Sequence, residues 1–308
     1  MTTALITHAD CLGHVTPPGH PERVARLDHV LHAMAALDLL RIAAPRAGDA
    51  DLLRCHPQAH LDRIRAALPA GGAAQLDADT WLSPGSEEAA RRAAGAAVRA
   101  VDAVLGGEVR NAFCATRPPG HHAEQETPMG FCLFGNVAIA ARHALDHHGL
   151  ERVAVVDFDV HHGNGTQALL WDEPRALLVT SQQMPLWPGS GAPSERGAHG
   201  QILNVPLAPR SGGAEMRAAY ETLVFPRLDA FAPELLLISA GFDAHQDDPL
   251  AELAWSTEDF RWLSRELCRR AETLCGGRVV SVLEGGYDLE ALAASARAHV
   301  EELIEAGK

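Results

Sequence analysis

Lysine is almost missing from this chain of 308 residues: Lys308 stands alone among 26 basic side chains, and the net charge is -14. That balance excludes the basic footprint a phosphate backbone needs, so no nucleic acid is expected as a partner. The six cysteines (Cys11, Cys55, Cys114, Cys132, Cys268, Cys275) form no CxxC pair, which argues for reduced, mostly packed thiols and against disulfides. No uninterrupted apolar run approaches the roughly 18 residues of a membrane span. The opening MTTALITHADCLGH has neither a basic n-region nor an apolar h-region, so the expectation is a cytoplasmic protein without membrane contact. A Ser/Gly linker and low-complexity tracts are also missing, and residues 1–308 read as one domain.

What is present is an apolar content of 47%, ample for a large core, arranged as short β-branched runs alternating with longer Ala/Leu/Arg-rich stretches of helical period. The predicted strands are 3–7, 41–43, 111–115, 153–158, 176–181, 201–205, 234–239 and 279–283. The predicted helices are 21–40, 57–68, 86–105, 136–148, 213–231, 257–275 and 289–306, with Pro226 breaking or kinking the helix around it. This rhythm predicts an α/β fold: a mostly parallel eight-stranded sheet with helices on both faces.

Four stretches set chemically loaded residues just after a predicted strand: RPPGHHAE (117–124), DFDVHHGNG (157–165), SAGFDAHQDDP (239–249) and EGGYD (284–288). In parallel α/β sheets ligands bind beyond the carboxyl ends of strands, so the four converge on one cleft. Along extended backbone Asp157, Asp159 and His161 project to one side, with Phe158 and Val160 to the other. Taken singly, D-x-H also fits a capped turn; joined by Asp243 it becomes a two-carboxylate, one-imidazole set that leaves positions open, as catalytic zinc does.

Chance gives about one adjacent histidine pair in such a chain, and three occur. His147 and His148 close a helix before Gly149, where the C-terminal partial charge favours imidazolium, a structural role. His162 fits packing beside the site. His121 and His122 follow Pro118, Pro119 and Gly120, a stiff loop with close backbone approach, and histidine titrates where a water proton must be taken and then returned to a leaving amine. Tyr287, one of two tyrosines, follows Gly285 and Gly286 and could reach a polarised carbonyl. The inventory is that of a metal-dependent hydrolase.

In order and composition these motifs resemble the histone deacetylase and acetylpolyamine amidohydrolase family of zinc hydrolases, of arginase-like fold, from HPER at 20–23 through EGGYD. The resemblance implies Asp159, His161 and Asp243 as ligands of one Zn2+, His121 and His122 as the tandem catalytic histidines, and Tyr287 as the carbonyl-polarising hydroxyl. It implies Asp157 behind His121 and Asn164 behind His122, where class I members carry Asp and class II and bacterial members Asn. Gly130, Phe131 and Trp187 resemble an aromatic tunnel for an acyl-lysine stem, Asp79 a rim residue gripping substrate backbone, and Arg23 an internal-channel arginine for acetate exit. Carbonyls around 157–161, with Asp157 and Ser181, resemble a structural K+ site.

Where polyamine-specialised members carry a glutamate in the DDPL segment, this chain has Leu250, which offers a second ammonium no partner. The expected substrate is therefore acyl-lysine in a protein or peptide, with acetylated polyamines and a silent acyl-lysine-binding module as the alternatives. An arginase would need two manganese ions and a denser Asp/His set. Iron(II) in place of zinc, and homo-oligomer formation, stay open.

Overall fold

The computed structural model describes residues 2–308. Its eight-stranded sheet comprises β1 (Thr3–Thr7), β2 (Leu40–Ala43), β5 (Asn111–Cys114), β6 (Val153–Asp157), β7 (Ala176–Gln183), β8 (Ile202–Leu207), β9 (Leu235–Ala240) and β10 (Val279–Leu283). They run in the order β2-β1-β5-β10-β9-β6-β7-β8, and every pairing is parallel. All eight predicted strands are present, with ends shifted by up to two residues. A short antiparallel pair outside them, β3 (Ala74–Gln75) and β4 (Trp81–Leu82), has too few residues to leave a pattern.

Alternation across the pleat splits the core in two. Ala4, Ile6, Cys114, Val153 and Val155 face one apolar layer, with α3 (Gln58–Ala67), α4 (Ser86–Leu105) and α5 (Asn136–Asp146). Leu5, Phe113, Ala154 and Val156 face the other, with α1 (Val24–Ala33), α9 (Thr257–Cys275) and α10 (Leu289–Ala306). Phe158 and Val160 belong to the second layer, so the alternation read from the sequence persists past the end of β6. All six cysteines are buried and free. Among the described residues no helix is long and apolar enough to cross a membrane.

Local chemistry sets the helix ends. Ser256 and Asp259 form a capping box at the start of α9, which stops at Gly276 in the left-handed conformation. Asp288, the last residue of EGGYD, caps α10 by accepting the Ala291 N–H at 2.9 Å. The predicted helix at 213–231 is broken as Pro226 requires: α7 (Gly213–Ala219) passes through one π turn, Tyr220–Val224, into α8 (Phe225–Phe231), with Pro226 in the first turn. The predicted helix at 21–40 shortens to α1, because Pro21 delays its start and the chain turns out at 34–36 to form β2. Two short helices, α2 (Asp49–Leu52) and α6 (Asn164–Leu170), fall between the predicted elements.

Candidate active site

The four motif loops leave the carboxyl ends of β5, β10, β9 and β6, four consecutive neighbours at the middle of the sheet. Adjacent parallel strands stand roughly 5 Å apart, so residues more than a hundred positions apart in sequence meet over one short edge.

At its floor, Nδ1 of His161 lies 3.1 Å from both Asp159 Oδ1 and Asp243 Oδ2. One donor atom from each of the three residues falls within 4.8 Å of the others. Main-chain amides aim the carboxylates: Gly285 N–H donates to Asp159 Oδ2 at 2.8 Å and Val160 N–H to Asp243 Oδ1 at 2.9 Å. A Cβ on Gly285 would overlap Oδ2 of both aspartates. Two carboxylates and an imidazole, converged and shaped by a glycine that admits nothing larger, fit a divalent transition ion.

The tandem histidines sit against this cluster, their ring centroids 3.9 Å apart. Nδ1 of His121 is 3.0 Å from Asp157 Oδ2, and its Nε2 is 3.6 Å from Asp159. Nδ1 of His122 is 2.8 Å from Asn164 Oδ1. The amide of Asn164 donates in turn to Glu124 at 2.8 Å, which turns its oxygen toward His122. His122 therefore carries its proton on Nδ1 and keeps a free lone pair on Nε2. Burial disfavours charge on both rings, but Asp159 and Asp157 outweigh it at His121 and lift its pKa well above the ordinary value. At His122, burial and the neighbouring His121 and His161 hold the pKa well below it.

Glu284, in the EGGYD motif but given no role by the sequence reading, accepts the N–H groups of Gly120 at 2.7 Å and His121 at 3.1 Å. It locks the histidine loop to β10, and burial pushes its carboxyl up to about 7. Tyr287 packs 5.8 Å from Phe131, centroid to centroid, and under the Arg26 guanidinium at 4.9 Å. Burial raises its phenol well above the ordinary value, so the hydroxyl keeps its proton.

Above these groups lies a cavity of about 190 Å³ lined by Asp79, His122, Gly130, Phe131, His161, Leu186, Trp187, Leu250 and Tyr287. All five expected tunnel and rim residues are in that lining. Trp187, 43% exposed, forms the lip 4.7 Å from His122. Asp79 accepts the Gly130 N–H at 3.2 Å. Leu186 was not anticipated; its neighbour Trp187 is the only local signal.

One expectation is corrected. Arg23 is exposed at the N-cap of α1 and lines no interior channel. Of the buried arginines, Arg91 lies on α4, and those beside the site are instead Arg26, one turn further, and Arg117. Both bind the buried Glu22, Arg26 at 3.0 Å, and Arg26 also donates to the carbonyl of Gly286 at 2.6 Å. The helix start, fixed by Pro21, turns Arg26 rather than Arg23 inward. Ser181 is buried and bonded at 2.7 Å to the Tyr220 hydroxyl.

The histone deacetylase domain pattern matches residues 20–303. The chain belongs to the histone deacetylase family. It is 42% identical over 302 residues to a histone deacetylase-like amidohydrolase of Pseudomonas aeruginosa, covering 94% of this chain and 79% of that one. It is 36% identical to a probable deacetylase of Archaeoglobus fulgidus, covering 94% and 82%. The crystal structure of an HDA15 HD domain superposes with a TM-score of 0.93 at 32% identity, over 99% of this chain and 89% of that chain. As a histone deacetylase-family protein it is a hydrolase acting on amides, and zinc dependence is general in that family.

Proposed function

We propose that the protein removes acetyl, or another acyl group, from the side-chain amine of lysine in proteins or peptides, using one Zn2+ held by Asp159, His161 and Asp243. The observation that carries this reading is the single cavity onto which His122, His161 and Tyr287 open together beneath an apolar wall of Phe131, Trp187 and Leu250. When bound, zinc polarises the acyl carbonyl and lowers the pKa of water.

The chain's own groups do the rest. Nε2 of His122 takes the water proton and returns it to the departing amine, which must leave protonated to be a good leaving group. Its Nδ1–H stays on Asn164 throughout, so the ring does not turn over between the two transfers. His121, tied to Asp157, contributes hydrogen bonding and a positive field beside the developing negative charge. The Tyr287 hydroxyl donates to the carbonyl oxygen as charge builds there. Phe131 and Trp187 flank the aliphatic stem of lysine, and Asp79 at the rim accepts a backbone N–H. Carbonyls of 157–161 with Asp157 and Ser181 supply oxygen donors of the kind a structural K+ takes.

The test is turnover of zinc-reconstituted protein on an acetyl-lysine peptide and on acetylputrescine side by side, with Asp159→Ala as control. Zinc-dependent peptide turnover, lost in the variant and exceeding that on the polyamine in kcat/KM, is expected. A preference for acetylputrescine would keep the mechanism and overturn the substrate. No turnover on either, with zinc bound, would leave an acyl-lysine-binding module.

A further inference from the structure

The histidine pair that closes α5 is part of a larger cluster. His143 and His147 stand one helical turn apart on the same face, with rings 4.8 Å apart and nearly parallel. There the helix ends, at Gly149 with φ of +71°, and the Leu150 N–H returns to Ala144 O at 3.2 Å. This reversal sets the His148 ring 5.2 Å from His143 and 5.0 Å from His147, almost perpendicular to both. One donor atom from each of the three lies within 4.8 Å of the others.

Asp102, on α4, takes the Nε2 protons of His143 at 2.7 Å and His148 at 2.8 Å on a single oxygen. That fixes both tautomers and leaves each Nδ1 as a lone pair. Nδ1 of His143 is buried without a hydrogen-bond partner, whereas buried polar atoms are ordinarily satisfied. A carboxylate on one nitrogen of an imidazole, with the other nitrogen free, is the arrangement that metal-binding histidines use.

We propose that His143, His147 and His148 form a second metal site, taking a borderline divalent transition ion of the Zn2+, Ni2+ or Cu2+ class, with Asp102 orienting two of the three rings. Imidazoles select such ions over Mg2+ and Ca2+, which take oxygen. His147 and His148 are exposed, so an ion has access, and the helix C-terminus together with Asp102 supplies negative potential. Asn136, at the other end of α5, packs against Gly120 of the catalytic loop. The cluster is therefore about 16 Å along the helix from the active site, and an ion there would tie the end of α5 to α4.

The experiment counts Zn2+ retained per chain after incubation with ZnCl2 and gel filtration. It compares wild type and Asp159→Ala, each with and without His147→Ala plus His148→Ala. Both replaced histidines are exposed, and circular dichroism checks the fold. The histidine pair is expected to remove one equivalent from either background. A count unchanged by the pair in both backgrounds overturns the second site, whatever Asp159→Ala does to the first. Calorimetric titration with NiCl2 gives an independent reading: a binding step that survives Asp159→Ala and vanishes with the histidine pair is expected, and its persistence without the histidines contradicts the proposal.

Discussion

Asp248 holds the main chain of Tyr287: its Oδ2 accepts the Tyr287 N–H at 2.7 Å and that of Asp288 at 3.4 Å, while its Oδ1 accepts the Leu250 N–H at 3.0 Å. One carboxylate thus sets both the Tyr287 loop and Leu250, a second residue of the cavity lining. Because Gly285 and Gly286 make that loop soft, the position of the Tyr287 hydroxyl depends on an external anchor. Asp248→Asn puts an amide donor where N–H groups converge. The expected result is a kcat lowered roughly 10- to 100-fold, with KM little changed and zinc content retained. Steady-state kinetics with metal analysis checks it, and a wild-type kcat would remove Asp248 from this role.

Tyr287→Phe leaves the ring between Phe131 and Arg26 and removes only the donor. Loss of one such donor costs on the order of 3 kcal/mol in the transition state, or roughly a hundredfold in rate. The prediction is loss of most deacylation with zinc still bound, measured in the same preparation.

Gly285→Ala acts on the metal rather than the chemistry. Its methyl would overlap Oδ2 of Asp159 and of Asp243, and the N–H that aims Asp159 would move with it. Zinc affinity is expected to fall at least 10- to 100-fold, the usual scale for disturbing groups that orient ligands. Competition with a chromophoric chelator reads this directly, without reference to activity.

The sheet was legible because β-branched runs and pleat alternation are local signals, and the convergence of Asp159, His161, Asp243 and the tandem histidines because they follow strand ends in compact motifs. The anchors were not. Glu22 reaches Arg117 across 95 positions, and Asp248 reaches Tyr287 across 39; nothing in the flanking residues announces either contact. Arg23 and Arg26 illustrate the same limit, since which arginine turns inward depends on where α1 begins. Helix α6 was missed because its first turn, Gly163-Asn164-Gly165, has poor helix propensity and is held by the site: the Thr166 N–H donates to His121 O at 3.0 Å.

His299 makes stability fall in acid. It is buried between the Ser264 and Ser281 hydroxyls, at 2.7 and 2.8 Å, and burial lowers its pKa from 6.5 to about 3. A depressed pKa means that the unfolded chain takes the proton first as pH falls. The contribution is therefore complete above pH 6.5 and is lost progressively toward pH 3. Linkage gives about 1.4 kcal/mol per pH unit, or about 2 kcal/mol between pH 6.5 and 5. His56, also lowered to about 3 by burial, acts in the same direction. Urea unfolding at about pH 7.5 and pH 5 should show a drop that is about 2 kcal/mol smaller in His299→Gln than in wild type.

Leu250 is the residue on which substrate choice turns. It is half-buried and shares the cavity lining with Trp187 and Tyr287. A lysine side chain in a peptide carries no second ammonium, and the leucine offers it only apolar contact. An acetylated diamine brings one, and desolvating an ammonium against leucine without a partner is unfavourable. Leu250→Glu supplies that partner while Asp248, through its own main-chain contacts, keeps the loop in place. The expected outcome is a rise in kcat/KM for acetylputrescine of roughly tenfold, about 1.4 kcal/mol, with a fall for acetyl-lysine peptides. Because the gain is an attraction between charges at a partly exposed site, it should shrink as salt is raised. A gain that is independent of ionic strength would assign the effect to cavity shape, and no gain at all would move the selectivity to other residues at the rim.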